Sequence, residues 1–192
     1  MTCTDLRTGW TEPLALRRHT QEAVCQALQI MGPELPFPLP GIDSDHGSEF
    51  IDDLLWRYCL SNKITFTRSR PYHKNDRAHV EQKNWSAVRH TMGYDRLETE
   101  EEFLLVQGIY TDVRLYINFF QPALKLLTKE HIRDKFVRRY DQARTPDQPV
   151  LECSLVTPEE KARLTHLYVQ LNPAVLQASI DQKVAKLRKI SK

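Results

Sequence analysis

The runs IDSDHGSEF (residues 42–50) and ITFTRSRPYHKNDRAHVEQKN (residues 64–84) decide how this chain folds. Asp45 follows the short apolar entry Pro40-Gly41-Ile42, and Gly47, close after it, lets the backbone turn sharply and approach a ligand. Thirty-five residues separate Asp45 from Glu81, which lies in a polar cluster at the end of the second run. These two carboxylates are therefore the first candidates for residues of a functional site.

Basic residues surround Glu81. From Lys63 to Arg89 there are seven Lys or Arg against two acids, Asp76 and Glu81, and the last ten residues hold five more Lys or Arg without an acid. Such clusters suit a polyanion, because each phosphate that is neutralised releases counterions. We interpret the cluster beside Glu81 as nucleic-acid binding, whereas the basic tail is equally well explained as a solvated surface.

The two runs share a pattern with a known family. Asp45-His46-Gly47-Ser48-Glu49-Phe50 matches a D-[NSH]-G-x-E-F stretch, Pro71-Tyr72 precedes Glu81, and Asn84 follows it by three residues. Over residues 1 to about 125 the chain resembles the catalytic core of integrases and insertion-sequence transposases, whose acidic triad is two aspartates and a glutamate. The resemblance implies an α/β fold of the ribonuclease-H-like kind, a mixed sheet flanked by helices.

By the same resemblance, the function is DNA integration or transposition through metal-dependent strand cleavage and strand transfer. Two divalent metals act at opposite ends of such a displacement, and hard cations such as Mg²⁺ (or Mn²⁺) take carboxylate oxygens. Asp45 and Glu81 would then be catalytic and would ligate the metal. The residues implied to bind nucleic acid are Tyr72, Lys74, Arg77, Lys83 and Asn84.

The first aspartate of the triad has no counterpart in this sequence. The run TDLRTGWTE (residues 4–12) matches the second and third strands of the family's core, so the first strand and its aspartate would lie upstream of Met1. Asp5 holds a structural position in that run, and Asp43 would share the strand face of Asp45. We therefore interpret the chain as an N-terminally truncated integrase core with incomplete catalysis and an open sheet.

The remaining pattern predicts alternating strands and helices. Thr8-Gly9 supplies a turn between two strands, with Pro13 marking an edge strand, and Thr20 caps a helix that Gly32-Pro33 ends. The predicted strands cover residues 2–6, 10–16, 41–44 and 64–67, and further helices cover residues 48–61, about 81–92 and 99–120. Predicted strands and helices thus cover most of residues 1–122, which we interpret as the core domain.

Beyond Pro122 the composition becomes polar and basic, which we interpret as a linker over residues 123–156. A helical basic tail over residues 157–192 follows, with a capping box at Thr157-Pro158-Glu159-Glu160 and a second helix starting at Asn172-Pro173. The two tail helices either form a small DNA-binding or dimerising module or pack on the core formed by residues 1–122. The sequence leaves both interpretations open.

Composition excludes several classes of protein. There is no apolar run of about eighteen residues and no secretory signal, so we expect a cytoplasmic protein without a membrane partner. The four cysteines (Cys3, Cys25, Cys59 and Cys153) are scattered without a C-x-x-C pair. They indicate reduced thiols and make a zinc finger improbable.

The expected partners are DNA, as transposon ends and target, and a second copy of the chain or a full-length transposase. One alternative is a non-catalytic DNA-binding fragment that regulates a full-length transposase. Another is a ribonuclease-H-like nuclease acting on RNA or damaged DNA, with its site completed by Asp5 or Asp43. A third is a relic that no longer folds.

Overall fold

A computed structural model describes residues 1–18, 20–44, 49–68, 98–132 and 135–191. Its strands are β1 (Thr2–Thr4), β2 (Thr11–Pro13), β3 (Gly41–Ser44), β4 (Thr65–Arg68), β5 (Leu126–Ile132) and β6 (Lys135–Tyr140). Its α-helices are α1 (Gln21–Met31), α2 (Glu49–Ser61), α3 (Glu100–Phe119), α4 (Asp147–Glu152), α5 (Pro158–Gln170) and α6 (Pro173–Ile190), and a 3₁₀ turn covers Gly32–Glu34. The predicted α/β class is confirmed.

The first two strands form the predicted hairpin. β1 pairs with β2 antiparallel, with Cys3 opposite Glu12. Asp5 closes the turn, since its Oδ2 accepts hydrogen bonds from the backbone N–H and the hydroxyl of Thr8, each at 2.6 Å. Gly9 adopts φ 77°, a conformation that glycine reaches without steric cost. The hairpin is therefore built from short-range turn chemistry.

The next two strands are parallel. Gly41 of β3 lies opposite Thr65 of β4, and Ser44 lies opposite Arg68. Parallel strands need a crossover connection, and α2 supplies it. The predicted strand 41–44 is confirmed at both ends, whereas the strand predicted over residues 64–67 lies one residue later.

Both strand pairs lie against the same helices. Buried side chains of α1 and α2 form one hydrophobic cluster: Val24, Leu28, Met31, Leu55 and Cys59. Cys3 from the first pair packs on this cluster, as do Ile42 and Phe66 from the second. The antiparallel pair and the parallel pair thus share one helical layer although they belong to separate sheets.

The predicted amphipathic helix is confirmed as α3, the longest helix of the described residues. Thr99 and Glu102 form a capping box at its N-terminus. One apolar stripe of α3 packs on α6 through Val106, Ile109 and Val113. At its C-terminal end, Phe119 joins a second cluster that contains Trp10, Val150 and Leu164. The helix therefore connects the first hairpin to the C-terminal segment.

The tail helices begin at the predicted caps, where Thr157 accepts a hydrogen bond from the N–H of Glu160 and Asn172 accepts one from the N–H of Ala174. Both helices contribute to the core: Leu164 of α5 is buried beside Trp10, and Ile180 of α6 is buried beside α3. The packing interpretation of the tail therefore applies. The segment predicted as a linker contains two strands and α4. None of the described helices is long and apolar enough to cross a membrane.

Candidate metal and nucleic-acid site

The parallel pair brings two predicted site segments to one edge. Ser44, the last residue of β3, lies opposite Arg68, the last residue of β4. Asp45 follows Ser44 directly, and the basic loop that leads to Glu81 follows Arg68. Ligands of open α/β sheets collect beyond the carboxyl ends of such strands. Both candidate segments therefore begin at the same edge of this strand pair.

Ser44 has an unusual environment at this edge. Its hydroxyl is buried and has no hydrogen-bond partner among the described residues. Buried polar side-chain atoms in folded proteins nearly always have a partner.

Asp43 lies two residues before Asp45. Its Oδ1 accepts a hydrogen bond of 2.8 Å from the hydroxyl of Thr67, its cross-strand neighbour on β4. Because side chains alternate along a strand, continuation of β3 by one residue would put Asp45 on the same face. Asp43 is thus held at the edge where the predicted carboxylate site would form.

Asp5, the other acid considered as a substitute ligand, lies in the first hairpin. Its Oδ2 receives two hydrogen bonds from Thr8, and its backbone C=O accepts one of 2.8 Å from Gly9. These bonds assign Asp5 to the turn, in agreement with the structural position that the sequence pattern gives it.

The residues predicted to act directly lie outside the described residues, and their roles remain predictions: Asp45, Glu81, Tyr72, Lys74, Arg77, Lys83 and Asn84. The helix predicted from about Glu81 to Met92 also lies outside them. In the part of the chain that the structure describes, no three His, Cys, Asp or Glu side chains come together in a group that could hold a metal.

A buried polar network, which the sequence did not predict, fixes the first hairpin to α3. Glu12 is 5% exposed; its Oε1 accepts a hydrogen bond of 2.7 Å from the indole N–H of Trp10, and its Oε2 is ion-paired with Arg114. Trp10 directly precedes β2 and Glu12 lies in it, so in an extended chain these two side chains share a face, which is the signal that could have indicated their contact. Their partner Arg114 is too distant in sequence for such a signal.

The cysteines are free thiols, as predicted. Burial raises the pKa of Cys3 to about 11 and also raises the pKa of Cys25 and Cys59. Since the thiolate is the form that attacks and binds metals, these three side chains are poor nucleophiles and poor metal ligands near neutral pH.

Comparison with known proteins finds a relative that matches this chain over part of its length. No protein-family model matches the chain. A protein of Sinorhizobium fredii (strain NBRC 101917 / NGR234), described as uncharacterized protein y4rM, is 43% identical over 140 residues, which is 73% of this chain. The matched part amounts to 40% of that relative, so the chain spans less than half its length. The description of the relative states no activity.

Proposed function

We propose that this chain is part of an integrase or transposase core that acts on DNA. The main observation behind the proposal is that the acidic motif and the basic loop follow neighbouring ends of two parallel strands. The residues of the D-x-G-x-E-F motif begin at the carboxyl end of β3, and the basic loop to Glu81 begins at the adjacent end of β4. A parallel strand pair that delivers an acidic motif and a basic loop to one edge is suited to a metal-assisted reaction on phosphates.

The described strands support a ribonuclease-H-like sheet as part of this proposal. In such a sheet the first strand lies between the second and the fourth. Here an antiparallel pair and a parallel pair lie on one helical layer, yet they belong to separate sheets. We propose that a further strand lies between β1 and β3 and joins them.

The donor chemistry fits hard divalent cations. The predicted ligands, Asp45 and Glu81, are carboxylates, which Mg²⁺ and Mn²⁺ prefer, and three of the four thiols are held protonated by burial. Bound cations of this kind supply Lewis-acid stabilisation of the attacking and leaving oxygens.

The surrounding residues would hold and orient the DNA. Lys74, Arg77 and Lys83 would neutralise phosphates, and the ring of Tyr72 would stack on a base. Asn84 lies three residues after Glu81, so on a helix it would share the face of the glutamate and either steer it or contact DNA. The third carboxylate of the triad would come from the additional strand, so full activity requires that strand.

The test is a plasmid-nicking assay on the protein extended by the residues encoded upstream of Met1, with Mg²⁺ or Mn²⁺. Asp45→Asn and Glu81→Gln should each abolish strand cleavage and leave DNA binding intact. Asp52→Asn, which changes an acid of α2 outside the D-x-G-x-E-F motif, is the charge-matched control and should cleave normally. Full cleavage by either site variant would refute the assignment.

A second candidate is a DNA-binding fragment without catalysis that regulates a full-length transposase. Hydrogen bonds with Thr8 hold Asp5 in its turn, so the first hairpin does not supply a third metal ligand. This observation favours the non-catalytic function. This function predicts that the chain as it stands binds DNA without cutting it, and that the double variant Asp45→Asn, Glu81→Gln binds equally well. Cleavage by the unextended chain would exclude it.

A further inference from the structure

The hairpin of β5 and β6 projects from the rest of the molecule. Every described side chain over residues 124–131 and 135–140 is exposed. The strands pair antiparallel from Leu126 opposite Tyr140 to Ile132 opposite Lys135. A two-stranded hairpin alone is marginally stable in water, and exposed strands are prone to pair with other molecules. A hairpin exposed on both faces is therefore a candidate binding element.

The hairpin is joined to the core at its base. The backbone N–H of Lys125 donates a 2.6 Å hydrogen bond to Oδ1 of Asp141, and Ala123 pairs with Arg144. The guanidinium of Arg144 is ion-paired with Glu152 of α4. Since α4 carries Val150, which is buried in the second cluster, the base of the hairpin has a fixed attachment.

One face of this hairpin is basic and aromatic. Lys129 lies opposite Arg138, and His131 lies opposite Phe136. Side chains two residues apart on a strand share a face, so Tyr140 joins them. The Lys129 ammonium lies 4.7 Å from the centre of the Phe136 ring, and the His131 ring lies 4.8 Å from it, which confirms that these side chains share one face. We call these five residues the basic-aromatic face.

The charges of the hairpin favour a polyanionic partner. The described residues from 125 to 141 include Lys125, Lys129, Lys135, Arg138 and Arg139 against Glu130 and Asp141. By register, Glu130 lies opposite Val137, on the other face, and Asp141 is bound at the base by Lys125. The basic-aromatic face thus has cations without a described acid. It also presents Phe136 at 61% exposure and Tyr140 at 48%.

We propose that the basic-aromatic face of the β5–β6 hairpin binds duplex DNA. The major groove, about 12 Å wide, admits a two-stranded ribbon. Lys129 and Arg138 would contact phosphates, and the exposed rings would contact sugars or bases beside them. This inference rests on the proposed function and gives it a second DNA contact, separate in sequence from the loop before Glu81.

The test uses the full chain, a labelled duplex oligonucleotide and fluorescence anisotropy in EDTA, so that binding is measured without metal. The double variant Lys129→Gln, Arg138→Gln should bind about tenfold more weakly at low salt. Its plot of log K against log salt concentration should be shallower by about 1.8, which corresponds to two lost phosphate contacts. The matched control is Lys135→Gln, Arg139→Gln, which removes the same charge from the other face of the hairpin, at two positions of β6, and should have a smaller effect on both quantities.

The outcomes separate this inference from the proposed function. Equal binding by wild type and Lys129→Gln, Arg138→Gln would overturn the role of the hairpin, as would equal losses in the two double variants. Preference for single-stranded DNA or for anionic lipid vesicles would overturn the duplex assignment. The double variant Lys129→Arg, Arg138→Lys keeps both charges and should bind as wild type does; a loss there would contradict the proposal. Metal-dependent nicking judges the proposed function independently of all these results.

Discussion

The side chain of Asn118 hydrogen-bonds to the backbone of β2 on the edge that does not pair with β1. The N–H of Thr11 donates to its Oδ1, and its Nδ2 donates to the C=O of Thr11, each at 2.8 Å. Both residues are 0% exposed. The side-chain amide therefore takes the place that a neighbouring strand would have, and it links β2 to α3.

Asn118→Leu keeps the volume of this side chain but removes both hydrogen bonds. It should lower the free energy of unfolding by about 2–4 kcal/mol, because a buried donor and a buried acceptor of Thr11 each lose their partner. Urea denaturation followed by circular dichroism measures this change.

The control is Asn62→Leu, since Asn62 is an exposed residue whose side chain donates a 2.8 Å hydrogen bond to the C=O of Tyr58. This variant should lose less than about 1 kcal/mol. Equal losses in the two variants would show that burial of the Thr11 pair is unimportant.

Single residues also show what a sequence can and cannot predict here. The turn at Asp5, Thr8 and Gly9 was predictable because its hydrogen bonds span at most five residues. The contacts of Glu12 with Arg114 and of Thr11 with Asn118 span 102 and 107 residues. No local pattern encodes which distant polar side chain will meet a strand edge, so these contacts required the structure.

Among the elements, the sequence predicts the starts of α1, α3, α5 and α6 because capping is local, but it misses α4, whose start has no side-chain cap. Thr20, Thr99, Thr157 and Asn172 each accept a hydrogen bond from an N–H of the following turn. The polar and basic composition predicts a linker where the β5–β6 hairpin lies, and the described side chains of its strands are all exposed. Strands that face solvent on both sides do not show the alternation of apolar and polar residues on which strand prediction depends.

The capping box of α3 makes stability depend on pH. Hydrogen bonds from the N–H groups of Thr99 and Glu98, and from the Thr99 hydroxyl, hold the pKa of Glu102 below its usual value. A carboxylate whose pKa is lowered by folding stabilises the protein above its unfolded pKa. This stabilisation is lost as the pH falls through the pKa of the folded state.

Glu102→Ala should therefore unfold at lower urea concentration than wild type at pH 7, and the difference should shrink as the pH falls through the pKa of the folded-state carboxyl. Glu102→Gln keeps an oxygen that accepts a hydrogen bond from the Thr99 N–H, so this variant should lose less stability than Glu102→Ala. Its loss should also shrink at low pH, because wild type and Glu102→Gln are then both neutral at this position. A difference between Glu102→Ala and wild type that is the same at pH 7 and at pH 3 would contradict the role of the charge.

Over the whole molecule, the sequence motif predicts where a site would form, and the structure adds the topology of the two strands that lead to it. The residues before Asp45 and before the basic loop are neighbours because the strand Gly41–Ser44 pairs in parallel with the strand Thr65–Arg68. The strands were recognisable from composition, but the pairing depends on the shared packing of Ile42 and Phe66 on α1 and α2. The convergence of Asp45 with Glu81 remains a prediction.

That convergence can be measured by titrating the full chain with Mn²⁺ and following the free ion by electron paramagnetic resonance. If Asp45 and Glu81 jointly bind a divalent cation, wild type should bind Mn²⁺ saturably, and Asp45→Asn and Glu81→Gln should each weaken the binding, whereas Asp52→Asn should not. Absence of saturable binding in wild type, or unchanged affinity in both site variants, would contradict the proposal that these two carboxylates form one metal site.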